Sequence, residues 1–276
     1  MRVIAFLSQK GGCGKTTSCL NIAALLAGEH HQRTLIIDLD SNACASRTFD
    51  VTVELAQSVG AALLGERSLA SLVRPTGLEQ LWLAPGSPEL RLIENYTPAD
   101  PALGNADGRL SEQALAVALP GLADLFDYVL VDCPGGHSFM EHAVLLACDE
   151  VVVPTGLSVY DLYATTPTMD LISAARRKRG GDQPALLGLL PNGAGKAGVP
   201  ARVQSLLDEI PGLCLSPIRH SATLRTVAIA PRVDQRLLVA ARPDHPASAS
   251  YRQVAREIVL GLEAARPLPA EAVDGR

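Results

Sequence analysis

A chain of 276 residues, 47% hydrophobic and 19% charged, is too apolar to be intrinsically disordered and long enough to bury a substantial core. Only 4% of residues are aromatic, so the core is expected from Ala, Leu, Val and Ile, and no apolar run approaches the roughly 20 residues a bilayer-spanning helix needs. The net charge of −5 is uneven: residues 1–169 carry 9 Lys/Arg against 19 Asp/Glu, whereas residues 170–276 carry 15 against 10, so an anionic polymer would meet the C-terminal part.

In chain order, residues 3–7 form a short apolar run of strand type that stops before Lys10-Gly11-Gly12-Cys13-Gly14-Lys15-Thr16-Thr17. A cleavable signal peptide is not expected, because removing one would remove this glycine loop. From Thr16 the chain reads as a helix, with Leu20, Ala23, Ala24 and Ala27 on one face and Gly28 near its end. Residues 34–37 are a second buried strand that ends at Asp38 and Asp40. Strand, loop, helix and strand in that order begin a parallel sheet with right-handed crossovers.

Residues 54–64 and 111–119 read as helices, residues 81–84 as a strand, and the Gly/Pro/Asp-rich stretch 97–108 as a flexible loop. Residues 127–132 are a clear buried strand. Two more follow at 150–154 and 185–190, with a long helix over 160–179 between them, and helices at 202–210 and 247–265 complete the set. The alternation predicts one doubly wound α/β domain over residues 1–266, a mostly parallel sheet flanked by helices, with a flexible tail at 267–276. The six cysteines, Cys13, Cys19, Cys44, Cys133, Cys148 and Cys214, show no C-x-x-C pair or zinc-like spacing and read as reduced thiols.

A loop that aims several backbone N–H groups at one anion needs backbone shapes that only glycine reaches cheaply, and Gly11, Gly12 and Gly14 supply them. The following helix directs its positive end at the same point. Lys15 is then placed to reach the β- and γ-phosphates of a nucleotide, Thr16 to hold Mg²⁺ and Thr17 to bond the α-phosphate. The general phosphate-loop pattern asks for glycine where this chain has Gln9; the variant with Lys10 fits in full.

With the loop at 10–17, Asp38-Leu39-Asp40, Val131-Asp132-Cys133-Pro134 and Ser250-Tyr251-Arg252-Gln253 at the opening of the last helix, the chain resembles the deviant-Walker family of P-loop ATPases. That family includes ParA-type partition ATPases, MinD and the nitrogenase iron protein, and the likeness is greatest to small ParA/Soj-type proteins. It implies the P-loop NTPase fold, ATP and Mg²⁺ as cofactors, and a catalytic set of Lys10, Lys15 and Asp40. In such proteins Lys10 reaches across a dimer to the partner's ATP, and Asp40 orients the attacking water. Asp38 and Asp132 lie near Mg²⁺, the backbone of Cys13 joins the phosphate contacts, Asn192 contacts adenine, and Pro217 and Arg219 line the base pocket.

The function implied is slow, partner-stimulated hydrolysis of ATP to ADP and phosphate by a homodimer that holds DNA without sequence preference. The job is to segregate or position a plasmid, chromosome or other cargo with a ParB-like or other adaptor, in a cytoplasmic protein that joins the nucleoid in its ATP state. Arg219, Arg225, Arg232, Arg236 and Arg242, set against the single acid Asp234 between residues 214 and 243, are the DNA-binding candidates, together with Arg176-Arg177-Lys178-Arg179 at a helix end. A MinD-like membrane-cycling ATPase is the alternative; residues 265–271, with two prolines and no apolar stripe, do not supply its amphipathic helix, so no membrane is expected. Where family members carry D-x-D-P-Q and D-x-P-P, this chain has Ser41-Asn42 and Gly135-Gly136, which are expected to alter switching, the diglycine by added mobility.

Overall fold

Short runs of Val, Ile and Leu, bounded by turns, build eight strands in the computed structural model, which describes residues 1–95, 110–136, 138–209 and 214–261. They are β1 (Arg2–Phe6), β2 (Thr34–Asp38), β3 (Arg74–Pro75), β4 (Leu81–Ala84), β5 (Tyr128–Asp132), β6 (Glu150–Thr155), β7 (Ala185–Ala194) and β8 (Ile218–Arg219). Their order is β3-β4-β2-β5-β1-β6-β7-β8, parallel throughout except for the antiparallel β3–β4 edge. The mostly parallel, doubly wound sheet is therefore as expected. The loop predicted at 97–108 and the tail predicted at 267–276 lie outside the described residues.

The central strands are buried on both faces, as parallel strands under crossover helices must be. Ala5, Leu35, Ile37, Val129 and Val131 share one core with Met140, Val144 and Ile172. Ile4, Phe6, Ile36, Leu130 and Val152 share the other with Leu20 and Leu26 of the helix Lys15–Gly28 and with Tyr251, Val254 and Ile258 of the last helix. Register aligns the carboxyl ends: Phe6 and Asp38 both pair with Asp132. The chain leaves β1 for β2 on one side and later places β6 on the other, so β1 marks the switch point where an open α/β sheet gathers its ligand.

Several elements differ from expectation. The helix predicted at 54–64 is a 3₁₀ turn, Leu55–Gln57, and a short helix, Val59–Leu63, parted at extended Ser58, whose hydroxyl accepts from the Gly60 amide at 3.1 Å. The helix predicted at 160–179 is two, Val159–Tyr163 and Thr166–Arg179, because Pro167 lacks the N–H that would continue the ladder. The last helix starts at Pro246 behind a His245 cap and runs to Leu260, so Ser250-Tyr251-Arg252-Gln253 lies in its second turn rather than at its opening. The helix Phe139–Ala147 and the edge strands β3 and β8 were not anticipated.

Candidate functional site

The loop leaving β1 turns through two left-handed glycines, Gly12 at φ 72° and Gly14 at φ 93°, before the helix Lys15–Gly28 begins. Both need glycine on conformational grounds. Gly14 needs it on space as well, since a Cβ there would stand 2.9 Å from Asn192 Nδ2. Lys15 is buried, and its ammonium donates to the carbonyls of Ser8 at 3.0 Å and Lys10 at 3.1 Å. Around this turn opens a cleft of about 480 Å³ lined by the loop glycines, Lys15, Thr16, Thr17, Asp40 and the 135–136 pair.

The two strand-end carboxylates have unlike surroundings. Asp38 is fully buried, and one of its oxygens accepts from the Ser46 amide at 2.8 Å and the Ser46 hydroxyl at 2.6 Å. Burial pushes its carboxyl up to about 6, against the pull of those bonds. Asp132 is equally buried, yet neither of its oxygens has a hydrogen bond of ordinary length. Burial first, and the nearby Asp38 carboxylate second, hold it well above the usual carboxylate range; the Thr16 hydroxyl and the Lys15 ammonium act in the opposite direction. An unpartnered buried carboxylate beside a hydroxyl and a glycine cradle is a hard-oxygen donor set. It suits Mg²⁺, which keeps waters and phosphate oxygens and takes few protein ligands. No cluster of three or more His, Cys, Asp or Glu that could hold a metal ion occurs among the described residues.

Asp40 lines the cleft half-buried and accepts from the Asn42 amide and side chain, both at 2.8 Å. The neighbouring departure is tied down as well: Ser41 donates through its amide and its hydroxyl to Glu94, each at 2.7 Å. At Gly135 a Cβ would stand 3.1 Å from Lys15 Nζ, so glycine there lets the segment after β5 lie close to the lysine. Lys10 forms an ion pair with Asp161 of the helix Val159–Tyr163. Asp161 is 151 positions away, and no local signal in the sequence points to it.

Asn192, at the end of β7, donates to the Cys13 carbonyl at 2.8 Å and so braces the phosphate loop from behind. Past it opens a cavity of about 610 Å³ lined by Lys196, Arg219, His220 and His245, whereas Pro217 is exposed just before β8. Arg219, Arg225, Arg232 and Arg242 are exposed, Arg232 in a pair with Asp234. Arg236 is a correction. Its guanidinium is turned inward to Asp50 at 2.6 Å and to the carbonyls of Ala230 and Thr48 at 2.8 and 3.1 Å, so it is a fold residue and not a free surface cation. The basic run at 176–179 is largely engaged too: Arg176 binds the Pro184 carbonyl, Arg179 the Cys148 carbonyl and Lys178 pairs with Glu112. None of the six cysteines is in a disulfide; burial pushes Cys19 and Cys133 up, and Cys13 donates to the Lys10 carbonyl.

A glycine turn at the switch point of a parallel sheet, with a caged lysine and a helix N-terminus behind it, defines the chain as a P-loop nucleotide-binding protein. Residues 1–180 match the AAA domain family model, and the chain belongs to that family, the ParA/MinD-type P-loop ATPases. Chromosome partitioning protein ParA of Myxococcus xanthus is 35% identical over 175 residues, which cover 62% of this chain and 59% of that protein. The chain thus spans about three fifths of the length of the curated relatives it matches first. Among solved structures, apo McdA of Cyanthece superposes with a TM-score of 0.78 at 20% identity, covering 94% of this chain and 99% of that one. MinD of Pyrococcus horikoshii, complexed with Mg-ADP, gives 0.71 at 22% identity, covering 95% and 98%. Both likenesses bear on the fold.

Proposed function

We propose that this chain is an ATP-dependent switch ATPase of ParA type. It binds ATP with Mg²⁺ and pairs with a second copy across the nucleotides. In that state it holds DNA without sequence preference and positions a plasmid, chromosome or other cargo until a ParB-like or other adaptor triggers slow hydrolysis. The observation that carries this reading is a second lysine, Lys10, between the cleft-lining Gln9 and Gly11 and with its ammonium held by Asp161, in a loop that already has its own buried lysine, Lys15. One lysine suffices for a single nucleotide; a second beside it suits a nucleotide held by another copy.

In this reading Gly11, Gly12, Cys13 and Gly14 offer amides to the phosphates, and Lys15 neutralises charge that builds in the transition state. Thr16, Asp38 and Asp132 hold Mg²⁺, whose contribution is to bind and polarise phosphate oxygens. Asp40 orients the water, Thr17 holds the α-phosphate, and Asn192, Pro217 and Arg219 border the base. Exposed Arg219, Arg225, Arg232 and Arg242 contact DNA phosphates, and pairing two copies doubles the counterions released.

Size-exclusion with light scattering, run with a slowly hydrolysed ATP analogue and Mg²⁺, tests the reading. The parent chain is expected to double in mass with the triphosphate and to remain single with ADP. Lys10→Ala is expected to bind the analogue within about threefold of the parent yet stay a monomer. An unchanged dimer in Lys10→Ala would reject the role across the interface.

A further inference from the structure

Glu141 is 1% exposed, although it sits in the first turn of the helix Phe139–Ala147, and the chemistry assigned above makes no use of it. A carboxylate is rarely buried without a partner. One of its oxygens accepts from Gln9 Nε2 at 3.3 Å and, at a longer 3.4 Å, from the Ser138 amide. Gln9 is also held from another side, its backbone amide donating to the hydroxyl of buried Thr168 at 3.3 Å. Its own flanking carbonyls, those of Ser8 and Lys10, are the two that accept from the Lys15 ammonium. The turn that cages Lys15 is thus gripped at its middle residue. Gly135, six positions before Glu141, also comes close to Lys15: a Cβ there would stand 3.1 Å from its Nζ.

We propose that Glu141 is a positioning residue that aims Lys15 through Gln9, linking the helix after the 135–136 pair to the phosphate loop. The role rests on the ATPase reading and deepens it. Its competitor is purely local: a carboxylate that closes the helix N-terminus and does nothing for the loop.

The test is a titration of Mg²⁺ and a fluorescent ATP analogue into the full chain, beside thermal melts of the same samples. Glu141→Ala and Gln9→Ala are each expected to weaken binding roughly tenfold, the scale of a hydrogen bond to a charged group. The double variant is expected to be no weaker than the worse single, because both remove one contact. Glu141→Gln, which keeps an acceptor oxygen and the same size, is expected to bind within about twofold of the parent. Effects that multiply in the double variant, or a Glu141→Ala protein that melts lower while binding as the parent does, overturn the proposal. Should Glu141→Ala not fold, parental affinity in Gln9→Ala overturns it as well, since Gln9 is half-buried in a loop and its truncation leaves the helix intact. Failure of the parent chain to bind the analogue would instead sink the ATPase reading itself.

Discussion

Asp132 is fully buried without a hydrogen bond of ordinary length, and burial works against its charged form. Asp132→Asn should therefore stabilise the nucleotide-free protein by about 1–3 kcal/mol. At this chain length that is a rise of about 2–4 °C in Tm per kcal/mol, read by calorimetry without Mg²⁺. The same variant should lose the further rise that Mg-ATP confers on the parent. A variant that melts below the parent would mean the carboxylate has a partner here. The glycine turn and Lys15 were legible in advance from residue type and spacing, whereas the parts given to Lys10, Asp38 and Asp132 came only from the family resemblance. Asp161, Ser46 and Glu141 were not legible, since their partners lie 151, 8 and 132 positions away and a lone acid or serine carries no mark of where it will be buried.

At the scale of elements, Ser46 joins three of them. From the helix Cys44–Thr48 it donates twice to Asp38 at the end of β2, and its hydroxyl accepts from the Gly86 amide beyond β4 at 2.9 Å. Ser46→Ala should therefore lower stability by about 2–3 kcal/mol in urea unfolding with an unchanged m-value, because it leaves a buried carboxylate and a buried amide short of partners. A loss below half a kcal/mol would show that backbone contacts alone dock this corner. Strands of the buried type were located to within a residue or so at most ends, since a run of β-branched residues between turn formers admits few other states. Helix continuity was harder. Pro167 divides what periodicity alone reads as one helix, and Ser58 does the same upstream. The helix Phe139–Ala147 announces itself only by Ser138 and Glu141 three residues apart, a capping signature.

For the whole molecule, the C-terminal arginines divide into two kinds that sequence counting treats alike. Arg236→Ala should cost about 1–3 kcal/mol of stability, since it releases Asp50 and three carbonyls, and on the proposed DNA-binding reading should change affinity only through that loss. Arg225→Ala should leave stability within about 0.5 kcal/mol of the parent and, on the proposed DNA-binding reading, reduce the salt dependence of that binding by about one ion per copy. Thermal melts and filter binding across a salt series separate the two. Equal DNA defects in both variants, with no stability change in either, would assign Arg236 to the surface.

Residue order by itself determined the phosphate loop, the alternation of strands with helices and the family, because each depends on neighbours a few positions apart and on backbone shapes that glycine, proline and β-branched residues impose. Folding alone decided that Asp161 pairs with Lys10, that Gln9 and Glu141 meet, and that Arg236 faces inward. Those pairings join segments brought together only when the sheet closes, and they are chosen by burial and desolvation, quantities with no value until the core exists.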